Sequence, residues 1–145
     1  MIGDPPIQIA PIGYVTTSYT DLSGTPSQAS ENTQATGSVV LREDLVDALL
    51  GIERYPFLWL VTWLHRGGAE PAPLQCVPRA IEAKGQIQGV FASRSPRRPN
   101  SIGLSLVRQL QLAENTITFA GVDLVDGTPV LDIKPWFADC DVPPR

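Results

Sequence analysis

The chain is poor in the groups from which metal centres, disulfide scaffolds and hydrolytic triads are built. It has two cysteines, Cys76 and Cys140, and a single histidine, His65, in 145 residues. Two cysteines make no disulfide framework, and they stand too far apart for a C-x-x-C metal or redox pattern. The longest apolar stretch, FLWLVTWL, has eight residues, whereas a bilayer-crossing helix takes about 20. The N-terminus MIGDPPIQIAP lacks the basic end and apolar core of a signal peptide. A cytoplasmic protein with reduced thiols and no membrane segment is therefore expected. No G-x-G-x-x-G follows a strand and no β–α–β alternation appears, which argues against a doubly wound nucleotide-binding sheet. The acids do not fall at calcium-loop spacing, and there is no Ser-His-Asp order or paired catalytic carboxylate, so neither a metal site nor triad hydrolysis is expected. Basic residues are also scarce: 11 against 15 acids, a net charge of −4 and a pI near 4.8. Over the whole chain that balance argues against nucleic acid, which calls for a basic face.

The length suits one domain with one core, expected over residues 1–145 with loose ends at about 1–6 and 138–145. β-branched and apolar runs bounded by Pro, Gly and Asn predict strands at 7–15, 38–41, 55–65, 89–93, 102–112, 115–121 and 127–136. The continuous apolar run at 55–65 reads as a central strand buried on both faces. The gap at Ala113–Glu114 reads as a hairpin turn. Residues 42–53 place Leu45, Ala48, Leu49 and Ile52 at helical spacing, with acids in the first turn, and predict a short helix. Residues 16–37 are almost wholly polar, and so long a connection in a compact domain is usually functional or disordered. Strand signals dominate. The expected fold class is mainly β: a single compact barrel, or a sandwich, with a short helical addition.

Charge is unevenly distributed. Residues 1–78 carry eight acids and three bases, and residues 112–145 six acids and two bases, but residues 79–111 carry six bases and one acid. At the centre of this basic island lies GVFASRSPRRPNS, with Arg94, Arg97 and Arg98. Pro96 and Pro99 fix their own φ and push Ser95 and Arg98 toward extended geometry, so the loop loses less entropy on closing around a ligand. Guanidinium forks on such a loop suit carboxylate or phosphate; they would equally serve a rigid connection paired to acids elsewhere. Asp126-Gly127-Thr128-Pro129 reads as a turn. Its carboxylate or backbone could accept hydrogen bonds from a ribose diol or an amino group, or act only as a local acceptor. His65 ends the apolar strand, where a histidine serves either as a general base or stacking platform or as a local hydrogen-bond partner.

PIGYVTTSY, the TPSQ loop, GIERYPFLWLVTWLH, GVFASRSPRRPNSIGLSLV and GVDLVDGTPVLDIKPW occur in the order found in the TrmO/TsaA-like family, and the chain resembles that family over nearly all of residues 8–136. The resemblance implies an S-adenosylmethionine-dependent methyltransferase on a β-barrel, usually a homodimer, acting on the exocyclic amino nitrogen of threonylcarbamoyl-adenosine beside the tRNA anticodon. It implies a cofactor site drawing on His65, Arg66, Arg94 and Leu104, on Leu124, Val125, Asp126 and Gly127, and on Ala29, Ser30 and Glu31 as a closing loop. Asp126 or His65 would act as base, and Arg79, Arg97 and Arg98 would face tRNA phosphates. Three departures stand out: Ser27 where the family often has arginine, Arg66 where glutamine is common, and Ser101 where proline is frequent. The chain also ends at Arg145, before the extra C-terminal domain of longer members. These leave two other readings open, a methyltransferase with a smaller acceptor and a non-catalytic cofactor-binding module.

Overall fold

A computed structural model of the protein describes residues 3–20, 25–26, 34–65, 72–77 and 85–145. Successive residues of a strand turn to opposite faces, and six strands curl until one face of each is enclosed. They are β1 (Gly13–Thr16), β2 (Thr36–Leu41), β3 (Phe57–Trp63), β6 (Ile102–Ala113), β7 (Thr116–Ala120) and β8 (Pro129–Pro135). They close in the order β1-β2-β7-β6-β3-β8, every neighbour antiparallel. The short strands β4 (Gln75–Cys76) and β5 (Gln88–Gly89) form a separate ribbon, and α1 (Ala138–Asp141) is one helical turn. The barrel and the paucity of helix match the fold class expected from the sequence.

Inward positions of all six strands supply the core: Val15, Val39, Leu58, Leu60, Val107, Ile117, Phe119 and Val130 are fully enclosed. Gly13 makes the seam between β1 and its neighbours possible, because a Cβ there would collide with the Val40 carbonyl and the Leu41 Cα. Past Ala120 the chain leaves the β7 ladder and runs irregularly through Gly121–Val125, pressing Val122 and Leu124 into the core as a plug. On β6, Ser105 Oγ donates to Asp123 Oδ1 at 2.7 Å, which ties this plug to the strand beside it.

Local chemistry explains where the structure departs from expectation. The strand expected over 7–15 narrows to Gly13–Thr16. Pro5, Pro6 and Pro11 offer no N–H to a ladder, and Ile7 is left 91% exposed. The helix expected over 42–53 is instead two 3₁₀ segments, Glu43–Leu49 and Ile52–Arg54. No side chain caps either one, only Leu49 is buried, and the chain turns at Gly51 with φ 86°. β3 is central, paired on both edges, but only its inner face is buried: Phe57 and Trp63 stand exposed and Trp59 and Val61 half-buried. A barrel has one interior, so an all-apolar strand turns half its side chains outward. The strand expected over 89–93 keeps only Gly89, because Val90–Ala92 forms a 3₁₀ turn. Ser93 causes this, as its N–H and its hydroxyl both donate to the Val90 carbonyl, at 3.2 and 2.9 Å.

The hairpin at Ala113–Glu114 forms as expected, with Ala113 opposite Thr116 and Glu114 at φ 55°. The C-terminal residues fold back over β3. Asp141 Oδ2 accepts from Trp59 Nε1 at 3.1 Å and from the Phe137 amide at 2.8 Å, and Phe137 packs edge-on against Tyr55. Arg42, at the end of β2, holds Asp44 through two hydrogen bonds, and the guanidinium keeps that carboxyl below its usual range. Both groups are solvent-exposed, so the pair contributes little to stability.

Replacing Gly13 with alanine should destabilise the barrel by about 3 kcal/mol, since the added methyl meets backbone on the neighbouring strand. Urea denaturation followed by tryptophan fluorescence checks this; an unchanged midpoint would contradict the close approach.

Candidate functional site

An antiparallel closed sheet sends alternate strand ends to opposite rims. The C-terminal ends of β1, β3 and β7 and the N-terminal ends of β2, β6 and β8 therefore share one rim. That rim carries Thr17–Tyr19, Leu64–His65, the 93–101 loop and the plug and turn at 121–128. The other carries the 3₁₀ segments, the β6–β7 turn and the C-terminal helical turn. The proline-braced arginine loop and the aspartyl-glycine corner thus lie at the same end of the barrel.

The Asp126 corner is held by backbone. Gly127 takes φ 80°, which a side chain at that position would resist, and the Thr128 amide and hydroxyl both reach the Val125 carbonyl, at 3.2 and 2.6 Å. The Asp126 amide donates to Tyr19 O at 2.7 Å, and Gly127 N to Val15 O at 2.8 Å. In return Asp126 Oδ1 accepts the Thr17 amide at 3.0 Å, and Thr17 Oγ1 donates to Leu124 O at 3.1 Å. One carboxylate oxygen is therefore structural. The other, Oδ2, has no partner among the described residues, and it is the acceptor that a ribose diol or an amino group needs.

The arginine loop is organised by Ser93. Its hydroxyl accepts from the Ser95 amide at 3.3 Å and lies 3.3 Å from Cys76 Sγ on β4. Arg98 Nη1 donates to the carbonyls of Ser93 and Ser95, at 3.0 and 3.2 Å. The loop joins the barrel where Leu64 N donates to Ser101 O at 2.7 Å, beside the pairing of Trp63 with Ile102. The next residue, His65, turns back sharply, its amide donating to Trp63 O at 2.9 Å.

Of the residues expected in the site, Arg94, His65, Asp126 and Gly127 come to this rim with partly or fully exposed side chains or backbone. Leu124 and Val125 are there too, but at 3% and 4% exposure their side chains belong to the plug, so only their backbone can meet a ligand. Leu104 points outward from β6, 56% exposed, on the barrel's outer wall. Arg97 is exposed, whereas Arg98 is half-buried and bonded within its own loop. Ala29, Ser30, Glu31, Arg66 and Arg79 lie outside the described residues. Sequence reasoning missed Thr17, Ser105 and Ser93. Nothing in spacing announces them, because Thr17 meets Asp126 only once the barrel has closed. Among the described residues, no cluster of three His, Cys, Asp or Glu side chains could hold a metal ion.

The Thr17 contact makes a prediction. Asp126→Asn keeps the accepting oxygen and should stay within about 0.5 kcal/mol of the parent, while Asp126→Ala leaves the Thr17 amide unpaired and costs about 1–2 kcal/mol. Thermal denaturation of the two variants reads this directly; equal losses would contradict it.

The comparisons with known proteins agree with the barrel fold. The tRNA-methyltransferase O N-terminal domain matches residues 14–142. A tRNA (adenine(37)-N6)-methyltransferase of Mus musculus is 35% identical over 137 residues, covering 92% of this chain and 31% of its own length. A probable S-adenosyl-L-methionine-binding protein of Methanothermobacter thermautotrophicus is 36% identical over 140 residues, covering 97% of both chains. A crystal structure of TrmO from Pseudomonas aeruginosa superposes with a TM-score of 0.78 at 33% identity, over 98% of this chain and 60% of the other. The chain thus spans a minor part of its mammalian relative and nearly the whole of its archaeal one. With the family's domain matched from β1 to the C-terminal turn, and its barrel reproduced, this chain belongs to the tRNA-methyltransferase O N-terminal domain family.

Proposed function

We propose that this protein is an S-adenosylmethionine-dependent methyltransferase that methylates the exocyclic amino nitrogen of threonylcarbamoyl-adenosine next to the tRNA anticodon, in the cytoplasm. The observation that carries this reading is the convergence, on one rim of a barrel of this family, of the Ser93–Ser101 loop, the β3 end at His65 and the Asp126 corner. Relatives named for tRNA adenine methylation and for S-adenosylmethionine binding support the same choice of substrates.

The donor set suits the cofactor. Asp126 Oδ2 offers an acceptor, the 122–127 backbone a wall, and Arg94 a cation on a stiffened loop, with His65, Arg66 and the outward Leu104 at its margin and Ala29, Ser30 and Glu31 closing over it. When bound, S-adenosylmethionine supplies an activated methyl group on a sulfonium sulfur. The chain's own task is to hold the acceptor nitrogen in line with that methyl, about 3 Å away, and to keep water out. The nitrogen is conjugated to a purine and a carbamoyl group and is a poor nucleophile, so Asp126 or His65 takes its proton. No metal is needed for such a transfer. Arg97 and Arg79, on the basic island, meet tRNA phosphates.

The active form is a homodimer. Phe57 and Trp63 of β3 and Ile102, Leu104 and Leu106 of β6 stand 36–56% exposed on one outer wall, an apolar surface that a second copy would cover. Pairing would also place two copies of the basic island on one particle, with the acid-to-base ratio unchanged.

Purified protein with the cofactor and tRNA bearing threonylcarbamoyl-adenosine should give a methylated nucleoside by mass spectrometry, and Asp126→Asn or His65→Asn should abolish turnover at the base position. tRNA affinity should fall steeply with salt, since each neutralised phosphate adds about −0.9 to the log–log slope. Cofactor binding with no methylated nucleoside and no salt slope would reject the tRNA reading in favour of a smaller acceptor.

A further inference from the structure

The arginine loop carries three guanidinium groups, and the structure gives one of them different work from the other two. Arg98 Nη1 donates to the carbonyls of Ser93 and Ser95, at 3.0 and 3.2 Å. These carbonyls stand one on each side of Arg94. The Ser93 carbonyl lies in the peptide plane before Arg94 and the Ser95 carbonyl in the plane after Ser95; the plane between them, Arg94–Ser95, is held by its own amide on Ser93 Oγ, and together these fix where Arg94 departs from the chain. Two further bonds complete the turn: the Ser95 amide reaches Ser93 Oγ and the Arg97 amide reaches Ser95 Oγ, both at 3.3 Å. Pro96 and Pro99 have no amide to contribute, so Arg98 supplies from a side chain the donors that the backbone lacks there. Its half-burial fits this role. Arg97, one residue earlier, is exposed, and no side-chain hydrogen bond holds it in the loop among the described residues.

We propose that Arg98 is a positioning residue: it clamps the Ser93–Arg98 turn so that Arg94 is preset toward the cofactor, and it is not one of the arginines that meet tRNA. The proposal rests on the functional reading above for the ligand that Arg94 meets, but the clamp itself does not. Lysine substitutes poorly, because its ammonium ends one bond nearer the backbone and does not hold two N–H groups in a plane as the guanidinium Nη1 does. It would nevertheless replace arginine well in a phosphate contact, where charge matters most.

The test therefore compares Arg98→Lys, Arg98→Met and Arg97→Met with the parent protein in three measurements. Calorimetry with S-adenosylmethionine should give about tenfold weaker binding for both Arg98 variants and no change for Arg97→Met, as expected for the loss of a charge-assisted pair of hydrogen bonds that preorganises the loop. The salt slope of tRNA binding should be unchanged in Arg98→Lys and Arg98→Met and shallower by about 0.9 in Arg97→Met. Amide hydrogen exchange at Ser95 and Arg97 should accelerate in both Arg98 variants, with the barrel strands unaffected. Parental cofactor affinity in Arg98→Lys, together with a reduced salt slope in Arg98→Met, would overturn the proposal and make Arg98 a phosphate contact. If the parent binds no S-adenosylmethionine, the functional reading fails, and exchange alone decides the clamp: unaltered rates at Ser95 and Arg97 would refute it.

Discussion

The pairing of β1 with β8 is the constraint on which the remaining structure rests. It is a short ladder, Gly13 opposite Val130 and Tyr14 opposite Pro129, extended at its ends by Ile12 N to Val130 O and Val15 N to Thr128 O. Without it the six strands would be an open sheet with two bare edges and a half-exposed apolar face. With it the edges vanish, Phe119 and Leu60 reach full burial, and strand ends that are distant in sequence are gathered on one rim. The same seam runs directly into the Asp126 corner, since Gly127 N and Val15 O lie in it. The contacts that close the barrel also hold the Asp126 corner.

Much of this was legible in the sequence, for identifiable reasons. The runs Ile102–Ala113, Thr116–Ala120 and Pro129–Pro135 are rich in strand formers and bounded by turn residues, so composition located them to within a residue or two, although on β6 the apolar Ile102, Leu104 and Leu106 face outward. Patterning failed where a single side chain or a proline overruled it. Ser93 pulls the backbone into a 3₁₀ turn in an otherwise strand-like stretch, and prolines strip the donors from residues 5–11. Period alone could not separate an all-apolar strand buried twice from one turned half outward, as β3 is. At the rim, quoted motifs located Arg94 and Asp126, but the partners that hold them are far away in the chain or hidden in its least distinctive residues. Thr17 and Asp126 are 109 positions apart.

The basic island acquires a division of labour that charge counting could not supply. Arg108 lies on the outward face of β6 opposite Phe57, well down the barrel from the rim. Arg98 is turned inward on its own loop, and Arg94 and Arg97 remain exposed at the rim. Among the described residues, then, Arg94 and Arg97 are the charges of the island that stand exposed at the rim. The apolar wall beside it, Trp63 and Ile102 above and Leu106 below, is continuous with the rim.

The proposed function requires the proline-braced loop, the β3 end and the Asp126 corner to form one ligand-binding rim. Hydrogen-exchange mass spectrometry with and without saturating S-adenosylmethionine tests it most directly. Slowed exchange is expected in residues 93–101, 64–65 and 122–127 together, and none in the 3₁₀ segments at 43–54 on the opposite rim. Ligand-induced protection confined to residues 43–54, or to one of the three rim segments with the others unmoved, would contradict it.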